Sequence, residues 1–153
     1  MYVGIDPGKN GAICFLNNQG MIEHISPMPE MKTLSGLLQG SRLMIKHVCL
    51  EKSQSFSGQG ITSTFNYGCH YGIIQGILLA HQVPYSLVPP RTWQKNMIVS
   101  RARDAKAKAL ASANKIFKKE KKFWIPTRRH KKPHDGMIDS ALIAEYCRRI
   151  NFK

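Results

Sequence analysis

Acidic residues are scarce in this chain: nine Asp and Glu stand against 23 Lys and Arg in 153 residues, a formal charge of +14. That imbalance excludes an acidic, self-solvating tail protein. Cysteine is also sparse and scattered. Cys14, Cys49, Cys69 and Cys147 form no Cys-x-x-Cys pair, so neither a zinc module nor a small disulfide scaffold is supported, and all four read as reduced core thiols. Long apolar runs are missing too. The most apolar helix-like stretch, GIIQGILLA, is too short and interrupted to span a bilayer. No basic segment followed by an apolar one opens the chain, so secretion is not expected and the expected location is cytoplasmic.

The excess charge is concentrated. Between Arg91 and Pro133 there are fifteen Lys or Arg and two acids, Asp104 and Glu120. A solvated solubility face would mix signs, whereas a one-signed stretch attracts polyanions. No amphipathic helix with a clean apolar face carries this charge, which argues against a membrane surface. Nucleic acid is the expected partner.

Apolar patterning predicts three consecutive strands at 2–6, 11–17 and 20–26, with Asn17-Asn18-Gln19-Gly20 as hairpin chemistry. A helix is expected over 31–45, a short strand at Val48–Leu50 closed by Glu51, and a long helix over 62–82. In that helix Phe65, Cys69, Ile73, Ile74, Ile77 and Leu78 recur at helical spacing, while Gly68, Gly72, Gly76 and Ala80 form a small-residue stripe. The stripe implies close backbone approach, against either the chain's own sheet or a second copy. A strand at 83–88 ends at Pro89-Pro90, a helix starts at Asp104, and a last helix covers 135–149. Strands first in series and then alternating with helices predict one α/β domain over residues 1–153, a mixed five-stranded sheet with helices on both faces.

With so few acids, their positions carry information. Asp6 and Glu51 each end an apolar strand, where a carboxylate is costly unless something positive meets it. Asp135 and Asp139 lie four apart at a helix start, about 40° apart on the helical wheel. Four carboxylates converging beside a basic surface require cations. Oxygen donors suit Mg²⁺ or Mn²⁺, and two such ions activate water and stabilise the leaving oxygen at a phosphodiester. Capping of the last helix by Asp135 is the structural alternative.

The motifs GIDPG, LEKSQSF and HDGMIDSAL, in this order and spacing over nearly the full length, resemble the RuvC family of Holliday-junction resolvases, and more closely its short phage-type members. The resemblance implies an RNase H-like fold and a homodimer. It also implies Mg²⁺-dependent hydrolysis, with two ions per site and Mn²⁺ able to substitute, that makes paired nicks in four-way DNA junctions and leaves 5′-phosphate ends. Asp6, Glu51 and Asp139 match three of the family's four metal-binding positions. For the fourth, cellular members place an acid or histidine three residues before the helix acid, where this chain has Gly136. Asp135 is the expected substitute, with His134 as a neighbouring proton carrier or alternative ligand. The resemblance places Phe56 as an aromatic wedge at the junction centre. It places Arg91, Lys95, Arg101, Arg103, Lys106 and Lys108 on phosphates, and Arg128, Arg129, Lys131 and Lys132 beside the scissile strand.

Other classes stay open. An RNase H-fold nuclease acting on forks, flaps or RNA would use the same acids, and a non-catalytic basic DNA-binding protein would explain the charge but not the acids. An actin-like phosphate-binding enzyme, suggested by DPGKNG, would need a second such domain, so no small-molecule substrate is expected.

Overall fold

Alternation along the first strand sorts its side chains between two cores. In the computed structural model, which describes residues 1–8, 10–52, 60–100, 102, 104–118, 124–126 and 132–152, β1 (Tyr2–Asp6) pairs antiparallel with β2 (Ala12–Leu16), which pairs antiparallel with β3 (Ile22–Pro27). On the other side of β1, β4 (His47–Glu51) and then β5 (Tyr85–Val88) add in parallel, giving the order β3-β2-β1-β4-β5. The β2–β3 turn is built as its residues suggest: the Asn17 side chain accepts hydrogen bonds from the backbone N–H groups of Gln19 and Met21, both at 3.0 Å.

Val3, Ile5, Ile13, Phe15, Val48 and Leu50 share one core with Leu34 and Leu38 of α1 (Met31–Ser41) and Ile74 and Leu78 of α2 (Ile61–Ala80). Tyr2, Cys14, Leu16 and Cys49 face the opposite core. There they meet α3 (Pro90–Met97), α4 (Ala105–Ile116) and α5 (Asp135–Asn151). Gly4 is required here: a Cβ on it would lie 2.2 Å from the Ser140 carbonyl oxygen and 2.3 Å from the Ala144 nitrogen. That contact seats α5 directly on the central strand.

The mixed sheet with helices on both faces is as the sequence predicts, with four local differences. The first helix stops at Ser41 and continues only as a 3-10 turn, Arg42–Met44, leaving Leu43 exposed. Helix α3 was not expected, because Pro89-Pro90 reads as a stop. Pro90 instead occupies the first helical turn, where a missing N–H costs nothing, and Trp93 and Met97, four apart, are buried. Along α2, Phe65 and Ile73 are 69% and 48% exposed, so the expected core stripe is only half realised. Cys69 is exposed with them, whereas the other three cysteines are buried. No helix among the described residues is long and apolar enough to cross a membrane.

Candidate active site

Parallel register brings the two strand-ending acids side by side. Ile5 pairs with Leu50, so Asp6 and Glu51 close neighbouring strands at the same edge, one strand spacing apart. Period-two alternation sends both to the side of the sheet that carries Tyr2 and Cys49, which is the side α5 covers. The start of α5 is pressed onto the β1–β2 turn, since a Cβ on Gly136 would lie 2.4 Å from the Asn10 carbonyl oxygen. This seating puts Asp139, one turn into the helix, next to the strand ends.

The electrostatics show three carboxyls sharing one space. Asp6 is raised well above its usual pKa by burial, then by the charges of Glu51 and Asp139. Asp139 is pushed up to about 7 by burial, then by Glu51 and Asp135, with Lys106 opposing. Glu51 is raised by burial, while a hydrogen bond donated by the Trp93 indole N–H at 2.6 Å favours its ionised form. Asp135 is exposed at the rim and ion-paired with Lys106 at 2.5 Å. Asp135 and Asp139 border a cavity of about 320 Å³ that is also lined by Trp93, Gln94, Lys106 and Lys108, among others.

Among the described residues, no group of three or more His, Cys, Asp or Glu is drawn close enough to enclose an ion. The chemistry of the donors nevertheless fits hard divalent cations. Asp6, Glu51 and Asp139 offer only oxygen, Glu51 raises the pKa of both Asp6 and Asp139, and Lys106 is the one cation among the causes of those shifts. A cation among them would relieve both the burial and the repulsion.

Of the residues singled out from sequence, the fold brings Asp6, Glu51 and Asp139 together, with Asp135, Lys106 and Lys108 at the cavity. His134 stands immediately before Asp135 at the helix start. It is the N-cap of α5, and its Nδ1 accepts the Met137 backbone N–H at 3.2 Å, so the cap is His134 and not Asp135. Arg91, Lys95 and Lys132 are exposed and do not line the cavity. Phe56, Arg101, Arg103, Arg128, Arg129 and Lys131 lie outside the described residues.

Nothing in the local sequence points to the bond between Trp93 and Glu51. The tryptophan is 42 residues away and reaches Glu51 only because β5 pairs with β4 and hands the chain to α3. Trp93→Phe keeps most of the buried ring and removes the N–H. The expected outcome is roughly tenfold weaker Mn²⁺ binding at neutral pH with the fold retained, measured by electron paramagnetic resonance titration. Unchanged Mn²⁺ affinity would reduce Trp93 to a packing residue.

No protein-family model matches the chain, and no curated protein sequence does. Solved structures do. RuvC of Thermus thermophilus in complex with a Holliday junction substrate superposes with a TM-score of 0.60 at 16% identity, covering 94% of this chain and 90% of that one. A further Thermus thermophilus RuvC structure gives 0.54 at 16% identity, over 93% and 89%. The mixed sheet in the order β3-β2-β1-β4-β5 with its helices is therefore RNase H-like, as in RuvC.

Proposed function

We propose that this chain is a structure-selective endonuclease, a single domain that resolves four-way DNA junctions by paired, Mg²⁺-dependent phosphodiester hydrolysis. One observation carries the reading: Asp6 and Glu51 at the ends of β1 and β4 and Asp139 one turn into α5 crowd together, beside a cavity lined by Lys106 and Lys108 as well as Asp135 and Asp139. The shared fold with RuvC, one structure of which holds a Holliday junction, supports the substrate class.

In this reading Asp6, Glu51, Asp139 and Asp135 hold two Mg²⁺ ions, with Mn²⁺ able to replace them. When bound, the ions supply Lewis acidity and charge neutralisation at the scissile phosphodiester. Lys106 and Lys108 bind the backbone beside the cut, and Trp93 fixes the Glu51 carboxylate. Asp135 exchanges its Lys106 partner for metal. His134 holds the first turn of α5 in place through its cap. Arg91, Lys95 and Lys132, together with Phe56, Arg101, Arg103, Arg128, Arg129 and Lys131, form the wider DNA-binding set.

A junction resolved symmetrically needs two sites, and α2 is the surface that supplies the dimer. Its twenty residues contain no charged side chain, and Ile61, Phe65 and Leu79 are 90%, 69% and 64% exposed. These three share one side of the helix with Gly68, Gly72 and Gly76, where nothing among the described residues lies within 4 Å of an added Cβ. The glycine stripe therefore does not pack on the chain's own sheet. An uncharged, exposed apolar helix face of this length fits a second copy.

The test is cleavage of a synthetic four-way junction, with and without Mg²⁺, against linear duplex, a replication fork and an RNA–DNA hybrid. Symmetric paired nicks that require Mg²⁺ are expected. Cutting of the fork or hybrid alone would keep the metal site and change the substrate, and tight junction binding without cutting would leave a DNA-binding protein. Within the site, Asp135→Asn is expected to cost far more cleavage than His134→Ala. The histidine variant should instead lose about 1 kcal/mol of stability with its cap, read by denaturant melts. The reverse ranking in cleavage would make His134 the ligand.

A further inference from the structure

At the far end of α4 and α5 from the carboxylates lies a second cavity, about 400 Å³, lined by Gln19, Gly20, Lys115, Glu145, Arg148 and Arg149 together with apolar residues of the α3–α4 segment. Its centre is a carboxylate that the nuclease site does not use. Glu145 is 3% exposed, and it accepts bonds from Arg148 Nε at 2.7 Å, Arg148 Nη2 at 2.9 Å and Arg149 Nε at 2.8 Å. Arg148 is anchored further, donating from Nη1 to the Asn18 carbonyl at 3.4 Å and lying 5.6 Å over the Phe152 ring. Helix-end stabilisation accounts for Arg148. It does not account for the rest. Among the described residues Arg149 uses only its Nε on Glu145, so its terminal nitrogens remain available on a half-exposed side chain, with Lys115 across the cavity.

Two guanidiniums fixed by one buried carboxylate are oriented before any ligand arrives, and three cations against one acid select an anion. A planar guanidinium edge with a lysine beside it suits phosphate oxygens. The helices give the distance. Lys106 and Lys115 bracket α4, and Asp139 and Arg148 bracket the same length of α5. Each pair is nine residues apart, ~14 Å at the α-helical rise. That is about four base-pair steps along a duplex axis.

We propose that this cavity is a second phosphate site, which takes a backbone phosphate of the duplex arm about four base pairs from the one held at the carboxylates and so fixes the direction of that arm. The inference rests on the nuclease reading for its register, but not for the binding itself.

The experiment uses the Asp6→Asn chain in metal-free buffer and follows junction binding by fluorescence anisotropy. A single neutral methylphosphonate linkage is walked along each arm. With the cavity intact, two sets of positions should weaken binding several-fold. One set should lose its effect when Lys106→Ala is added. The other, about four base pairs away, should lose its effect in Lys115→Ala/Arg149→Ala, and that double variant should also flatten the log affinity–log salt slope by about 1 to 2. Both residues are at the surface and Glu145 keeps Arg148, so the double variant should stay folded, its melt lowered only by the lost Arg149–Glu145 bond. Unchanged affinity and slope in the double variant, or an identical methylphosphonate profile, would overturn the proposal. If the wild-type chain fails to cut junctions while this coupling persists on linear duplex, the nuclease reading falls and the phosphate site stands.

Discussion

Asp6→Asn is expected to abolish Mg²⁺-dependent cleavage of a four-way junction while leaving junction affinity close to wild type. The loss should be at least on the order of 1,000-fold, or ~4 kcal/mol of barrier. The side chain keeps its shape and loses its charge in a place where charge is costly: burial, Glu51 and Asp139 all raise its pKa. The same substitution should stabilise the metal-free protein at neutral pH, because it removes a carboxylate that folding forces beside two others. Asp139→Asn should behave likewise, and its pH dependence has a definite sign. The Asp139 pKa is about 7 in the folded chain, above its unfolded value, so the folded state holds the extra proton between roughly pH 4 and 7. Wild-type stability at this site is therefore fully present below the unfolded pKa and is lost as pH rises through about 7. The Asn variant's advantage should be absent near pH 3 and largest above pH 7 in metal-free melts, and saturating Mg²⁺ should erase it by restoring the wild type. Loss of junction binding in Asp6→Asn, or an Asn variant less stable than wild type at neutral pH, would make the acid structural.

Gly72→Glu is expected to convert a dimer into a folded monomer. Nothing lies within 4 Å of a Cβ at this position, so the isolated chain accommodates the new side chain. Replacing a mid-helix glycine should even favour α2, by up to about 1 kcal/mol. In a dimer the same side chain would place a carboxylate in the middle of an apolar contact, between faces that carry Phe65 and Leu79, where burying an unpaired charge costs several kcal/mol. Sedimentation at micromolar concentration should show dimeric wild type and monomeric variant, with the melting temperature of the variant not lowered. Junction cleavage should change from paired nicks to slow, uncoordinated single nicks. A monomeric wild type would leave α2 without this partner, and a variant that unfolds would mean that the stripe is internal.

The two outcomes read different parts of the molecule, and they were legible in the sequence to different degrees. Asp6 and Glu51 stood out because an acid at the end of an apolar run violates the pattern around it, and such a violation is local information. Asp139 stood out for the same reason inside an apolar helix. The glycine stripe on α2 was equally visible, but whether it met the chain's own sheet or a second copy was not, since helical spacing is the same for both. Helix α3 was hidden because its only apolar anchors are Trp93 and Met97, too few to establish a period. His134 could be read as a ligand or as a proton carrier, and only the structure showed that its Nδ1 also caps α5.

Taken by itself, the sequence determined the mixed sheet, the two strand-ending acids, the helix acid and the basic character of the segment beside them. Alternation, turn residues and charge counts depend only on neighbours along the chain. Tertiary structure alone decided which long-range partners those residues meet. It gave Glu51 the indole of Trp93, gave Asp135 the ammonium of Lys106, and joined Glu145 to a cavity at the far end of α4. Those pairings follow from the parallel addition of β4 and β5 to β1 and from the side-by-side run of α4 and α5. Both bring together residues far apart in the chain, 42 for Trp93 and Glu51, and neither has a local signature.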